Sequence, residues 1–132
     1  MAKQSTKRRK PTDSEMKILS VLWEHGTKKS VREVYEHLSE TEEIGYTTVL
    51  KFMQIMTDKG FLVRDSSVRP QLFSAAQPQK QTQRMILNDL VERAFSGSTG
   101  ELALQALSTK QSTPEELREI RALLDKLEED SA

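Results

Sequence analysis

Between Gly45 and Gly60 the apolar residues Val49, Phe52, Met53 and Met56 recur at i, i+3, i+4 and i+7, which lays them on one stripe of a helix. At about 100° per residue, Thr47, Thr48, Lys51 and Gln54 project from the other side, so a core-packing face is backed by hydroxyls, an amide and a cation. Gly60 stands where a helix C′ residue of positive φ is wanted. After it Phe61-Leu62-Val63-Arg64-Asp65 reads as extended, Ser66-Ser67 as a turn, and Arg69-Pro70-Gln71-Leu72-Phe73 as the returning strand. A polar-backed helix followed by a basic hairpin predicts a recognition helix with a wing. A core helix with a solvated back and an ordinary hairpin fits this stretch equally well.

Two earlier segments repeat the helical period. Met16, Ile18, Leu19, Leu22 and Trp23 form a broad stripe that ends at Gly26, with Trp23 expected in the core. Thr12 and Glu15 have capping-box spacing at its start. Ser30 and Glu33 make a second box ahead of Val31, Val34, Tyr35 and Leu38, which predict a helix to about Ser39. An acidic connector, Thr41 to Ile44, leads to the third helix. Three short helices and a hairpin within residues 11–76 make a winged helix-turn-helix, with the third helix placed to enter a major groove.

Residues 75–83 are polar, with Pro78 as a breaker, and read as a linker. A fourth helix follows with Ile86, Leu87, Leu90, Val91, Ala94 and Phe95 apolar, and residues 96–100 break it. Glu101 to Leu107 reads as two helical turns. Thr113, Pro114 and Glu116 start a last helix, where Leu117, Ile120, Leu124 and Leu127 trace an a/d seam. Stripes this thin over residues 77–132 make a marginal core. A second copy of the chain solves that, giving a two-fold dimer through Leu90, Val91, Leu117, Ile120, Leu124 and Leu127. The alternative is that these helices pack back on the winged helix. The expected fold is therefore mostly α with a small β-hairpin wing: a winged helix-turn-helix followed by a helical dimerisation domain.

The net charge of zero conceals an asymmetry: residues 1–80 carry fourteen Lys/Arg and ten Asp/Glu, residues 81–132 six and ten. A basic front half suits a polyanionic partner. Five of those cations, Lys3, Lys7, Arg8, Arg9 and Lys10, fall in residues 1–10, read as a disordered basic arm that either touches phosphate or solubilises the chain. The 132 residues include no cysteine, which excludes a disulfide frame and a thiolate metal site and fits a reducing cytoplasm. No apolar run approaches the ~18 residues of a membrane span, and the basic N-terminus lacks the apolar stretch of a secretory signal. His25 and His37 read as surface residues. No phosphate-binding Gly loop, His-x-x-x-His pair or nucleophile elbow occurs, so neither an enzyme nor a cofactor is expected.

Four segments together resemble the penicillinase-repressor family, bacterial repressors of β-lactamase and methicillin-resistance genes. They are Thr12-Asp13-Ser14-Glu15 through Val21-Leu22-Trp23, then Tyr46-Thr47-Thr48-Val49, then Lys59-Gly60-Phe61-Leu62, and Glu115-Glu116-Leu117-Arg118-Glu119-Ile120-Arg121. The resemblance covers about residues 11–130. It implies a dimeric repressor on a palindromic double-stranded operator, with a winged-helix N-terminal domain and an intertwined helical C-terminal domain. It also implies relief of repression when a membrane-bound metalloprotease sensor cuts the repressor or triggers its cutting. Copper-responsive relatives end in a cysteine-rich motif that this chain lacks. β-Lactamase repressors are cut at an Asn-Phe bond, a position that Gln105-Ala106 occupies here.

The expected DNA-binding residues are Tyr46, Thr47, Thr48, Lys51 and Gln54 on the third helix and Arg64 and Arg69 in the wing. Thr methyls can meet thymine methyls, hydroxyls serve as donor or acceptor, and the arginines flank the turn outside any apolar pattern. A winged-helix module that binds only protein accounts for the same fold and stays open at this point.

Overall fold

The computed structural model describes residues 10–131. The basic arm expected over residues 1–10 lies outside them, apart from Lys10. The elements are α1 (Asp13–His25), α2 (Val31–Ser39), α3 (Tyr46–Lys59), β1 (Leu62–Asp65), β2 (Leu72–Ala75), α4 (Gln79–Ala94), α5 (Thr99–Thr109) and α6 (Pro114–Ser131).

Both N-terminal capping boxes form. The Glu15 amide donates to Thr12 Oγ1 (3.2 Å) and the Thr12 amide to Glu15 Oε1 (2.9 Å). The Ser30 amide likewise donates to Glu33 Oε1 at 2.8 Å, and this bond is the leading cause holding the Glu33 carboxyl below its ordinary range. Gly26 and Gly60 end α1 and α3 at φ 63° and 89°, left-handed conformations that a Cβ would strain.

The helical periods converge on one core. Ile18, Leu19 and Leu22 of α1, Val31, Val34 and Leu38 of α2, and Val49, Met53 and Met56 of α3 are buried together with Phe61, Leu62 and Phe73. Trp23, expected inside, is only half-buried: it packs against this cluster and its indole N–H donates to the Gln77 carbonyl at 3.1 Å. A large side chain with one polar atom settles where that atom finds a partner.

β1 and β2 pair antiparallel with Leu62 opposite Ala75 and Asp65 opposite Leu72. Residues 66–71 join them, a longer turn than the Ser66-Ser67 corner expected. Lys29 adds a strand-like bridge to Phe73, exchanging both backbone hydrogen bonds (2.9 and 2.7 Å). The wing is thereby tied to the loop before α2.

The linker expected over residues 75–83 shrinks to three residues. Ala75 is still strand, the Ala76 amide donates to the Phe61 carbonyl (2.8 Å), and α4 begins at Gln79. Pro78 starts that helix rather than breaking the chain: its carbonyl accepts the Gln81 and Thr82 amides. A proline at a helix start gives up no intrahelical bond, because the first amides have no partner anyway.

Two compact units are distinguished, one up to Leu87 and the other Asn88–Ala132, so α4 runs from one into the other. In the second unit, α4 closes with Ser96 and Gly97 both at positive φ. Ser98 then caps α5 by accepting the Glu101 amide (3.1 Å), which lengthens α5 to Thr99–Thr109 from the two turns expected. Thr113 and Glu116 form the expected reciprocal cap on α6 (2.8 and 3.0 Å). Neither α5 nor α6 buries a single residue within the chain.

Candidate nucleic-acid interface

The N-cap of α3 is Gly45, which offers no side chain to the first helical amides, and no side-chain cap forms there. The other caps along the chain come from Thr12, Ser30, Ser98 and Thr113. The N-terminal amides of α3 therefore remain available to an outside acceptor, and a helix N-terminus with its positive dipole end favours phosphate.

The exposed arc of α3 divides in two. Thr47, Thr48 and Lys51 share a shallow hollow with Phe52 and Ile55. Tyr46 and Gln54 face a cleft of about 480 Å³ floored by Val31, Leu50 and Phe73 and walled by Arg32, Glu33 and Glu36 of α2 and by Arg64, Pro70 and Gln71 of the wing. The sequence-predicted residues Tyr46, Gln54 and Arg64 thus meet around one cleft. Thr47, Thr48 and Lys51 lie on the adjoining face of the same helix, all exposed. Arg69 is exposed in the turn between the strands and does not line the cleft.

The charge in the wing is arranged so that its acid is already spoken for. Asp65 accepts from the Ser67 hydroxyl, the Ser67 amide (3.0 Å) and Lys28 Nζ (3.0 Å). With the Ser67 hydroxyl the leading cause and the Lys28 ammonium next, its carboxyl falls to about 2 from an ordinary 3.8. Lys28 and Asp65 neutralise each other, and Arg64 and Arg69 set the sign of the wing.

Arg32 and Lys28 were not singled out in the sequence, and Tyr35 only as part of the apolar stripe of α2. Arg32 lies with its guanidinium carbon 5.0 Å from the Tyr46 ring centroid, and Tyr35 meets the same ring edge-on, centroids 5.9 Å apart. A signal existed for Arg32: a cation in the first turn of a helix opposes the helix dipole and so asks for another reason to be there. His25 and His37, read as unrelated surface residues, bring their rings to 4.1 Å. Among the described residues no group of three or more His, Cys, Asp or Glu is placed to hold a metal ion.

In the second unit Leu90, Leu117, Leu124 and Leu127 are exposed, Ile120 is half-buried and Val91 is buried within the chain itself. Leu104, Leu107 and Leu123 are further exposed leucines of this unit, and Leu87 is exposed at the end of the first. Gln105 and Ala106 lie in the middle of α5, both exposed, and the Gln105 carbonyl also accepts the Thr109 hydroxyl (2.9 Å). No helix among the described residues is long and apolar enough to cross a membrane.

No curated protein matches the chain. The family model described as "Penicillinase repressor" matches residues 11–126.

Proposed function

The chain belongs to the penicillinase repressor family, a family of winged-helix DNA-binding transcription regulators and not of enzymes, and from this premise we propose that it is a homodimeric repressor of a palindromic operator. Residues 11–76 hold DNA and residues 77–132 hold the partner copy. The observation that carries the reading is the uncapped, polar face of α3 beside a cationic wing. Tyr46, Thr47, Thr48, Lys51 and Gln54 read base edges, and Arg64 and Arg69 contact phosphate.

The homodimer rests on a different observation: α6 carries Leu117, Leu123, Leu124 and Leu127 on its surface and buries none of them. An apolar row of that length is covered in solution. The second copy is the occupant that also matches a palindrome, because a two-fold dimer presents two α3 helices to two half-sites.

Repression ends by proteolysis within residues 102–112, around Gln105-Ala106, through a membrane-bound sensor protease acting on a repressor in the cytoplasm. The scissile segment must unwind locally, and α5 is suited to that because none of its side chains is buried within the chain. Cutting there separates α6 from the winged helix and leaves the DNA-reading surface whole.

Mobility shift with DNA from upstream of the protein's own gene tests the operator reading; a module that binds only protein leaves that DNA unshifted. Thr48→Ala and Lys51→Ala should each weaken operator binding by about 1–3 kcal/mol while the protein stays folded. Unchanged discrimination in both removes α3 as the reader. Mass spectrometry of the repressor from induced cells tests the switch: derepression with the chain uncut rejects cleavage.

A further inference from the structure

Tyr46 is the first residue of α3 and is 37% exposed, yet its ring is held from two sides by α2. The Arg32 guanidinium covers it at 5.0 Å and Tyr35 meets it at 5.9 Å with the rings 78° apart. Both partners come from the first helix of the helix-turn-helix pair, so the contact bridges the two helices whose mutual angle aims α3. An exposed tyrosine at a helix start ordinarily samples several rotamers, and ordering it on binding costs affinity. Here two side chains of α2 already contact the ring in the free protein.

Resting on the operator reading above, we propose that Arg32 is a positioning residue for operator discrimination: it clamps the Tyr46 ring so that the phenol hydroxyl and ring edge meet the DNA in a fixed pose. Three observations converge on this. Arg32 sits in the first turn of α2, where the helix dipole disfavours a cation, so its placement is not explained by helix stability. Its guanidinium carbon, on a side chain that is otherwise exposed, lies 5.0 Å from the one exposed aromatic ring of α3. And Arg32, Tyr46, Gln54 and Arg64 line one cleft, so the clamp stands among the groups that read and grip DNA. A guanidinium stacks on an aromatic face with a geometry that an ammonium does not reproduce.

The test is a double-mutant cycle on the full chain. The probes are a duplex selected by the wild-type protein from random sequence and a shuffled duplex of the same composition, with affinities measured across a salt series. Arg32→Ala and Tyr46→Ala should each lower the selected-to-shuffled affinity ratio about 3- to 30-fold. The double variant should lose no more than the worse single, because either change alone releases the clamp. Arg32→Lys keeps the charge, so its salt slope should match wild type while its ratio falls; it also serves if Arg32→Ala fails to fold. A residue that only stabilised the fold would shift the melting temperature and leave the ratio untouched, which overturns the proposal. So do additive losses in the cycle, which make Arg32 an independent phosphate contact, and a wild-type ratio in Arg32→Lys. A wild-type protein that selects no duplex overturns the operator reading itself, a result distinct from all of these.

Discussion

At the tip of the wing a single carboxylate, Asp65, decides the local order. It binds the Ser67 amide and hydroxyl two residues on, an Asx-type turn, and reaches Lys28 in the loop before α2. Its folded pKa is about 2, below the ordinary 3.8. A depressed carboxylate contributes stability that is full above the unfolded value and is lost as pH falls through the folded one. The turn should therefore hold through pH 4 and loosen only as pH approaches about 2. Following the Ser67 amide by NMR should give a titration midpoint near 2, and Asp65→Asn should abolish that titration. A midpoint at the ordinary carboxylate value shows that neither Ser67 nor Lys28 holds the group. At this scale the sequence is legible wherever partners are three residues apart: Thr12 with Glu15, Ser30 with Glu33 and Thr113 with Glu116 all cap as spacing predicts. Arg32 over Tyr46 was not legible, because that pair depends on how two helices cross.

Between elements, one ion pair outweighs the rest. Glu15 is buried, and while one oxygen caps α1 the other accepts from Lys59 Nζ at 2.8 Å, joining the start of α1 to the end of α3. The Glu15 side chain is 3% exposed and that of Lys59 26%, whereas the pair Lys17–Glu42 is open to water at 51% and 38%. Removing one partner of a buried pair strands the other, while an exposed pair contributes under ~1 kcal/mol. Glu15→Ala should thus cost about 2–4 kcal/mol, since the cap is lost as well. Lys17→Ala should fall within about 1 kcal/mol of wild type. Urea denaturation of both variants checks this, and equal losses would show that burial does not rank these pairs. In the wing, Arg64 and Arg69 lie outside the core and are free of the Lys28–Asp65 pairing. If both contact phosphate, their double Ala variant should flatten the slope of log K against log salt by about 1.8. A wild-type slope would leave the wing without phosphate duty. The elements themselves were legible because their apolar periods are strong. What was misread at this scale was punctuation: Pro78 was taken for a breaker and opens α4, and the bridge from Lys29 to Phe73 has no local signature.

For the whole molecule, the contrast between the two units sets the expectation. The winged helix buries residues from three helices and the hairpin around one core. Among the described residues from Asn88 onward the one buried apolar side chain is Val91. The a/d spacing of Leu117, Ile120, Leu124 and Leu127 foretold a seam, though not the additional exposed leucines at 104, 107 and 123, which follow from how little α5 and α6 bury within one chain. Leu124 isolates the consequence. It is 53% exposed in the single chain and outside the buried core, so replacing it by Asp disturbs little packing within the protomer and circular dichroism should be nearly unchanged. In a dimer seam the same carboxylate would be taken out of water without a partner, at a cost of several kcal/mol for the pair of copies. Leu124→Asp should therefore sediment as a monomer at micromolar concentration. It should still bind a single half-site through α3 but lose the roughly 10²- to 10⁴-fold advantage of two linked readers on a palindrome. Moving the half-sites apart by a non-integral number of ~34 Å turns should weaken the wild type and leave the variant indifferent, because only a dimer has a spacing to satisfy. A wild-type chain that sediments as a monomer would overturn the homodimer itself, whereas a Leu124→Asp chain that keeps the spacing dependence would place the two-fold contact outside residues 114–131.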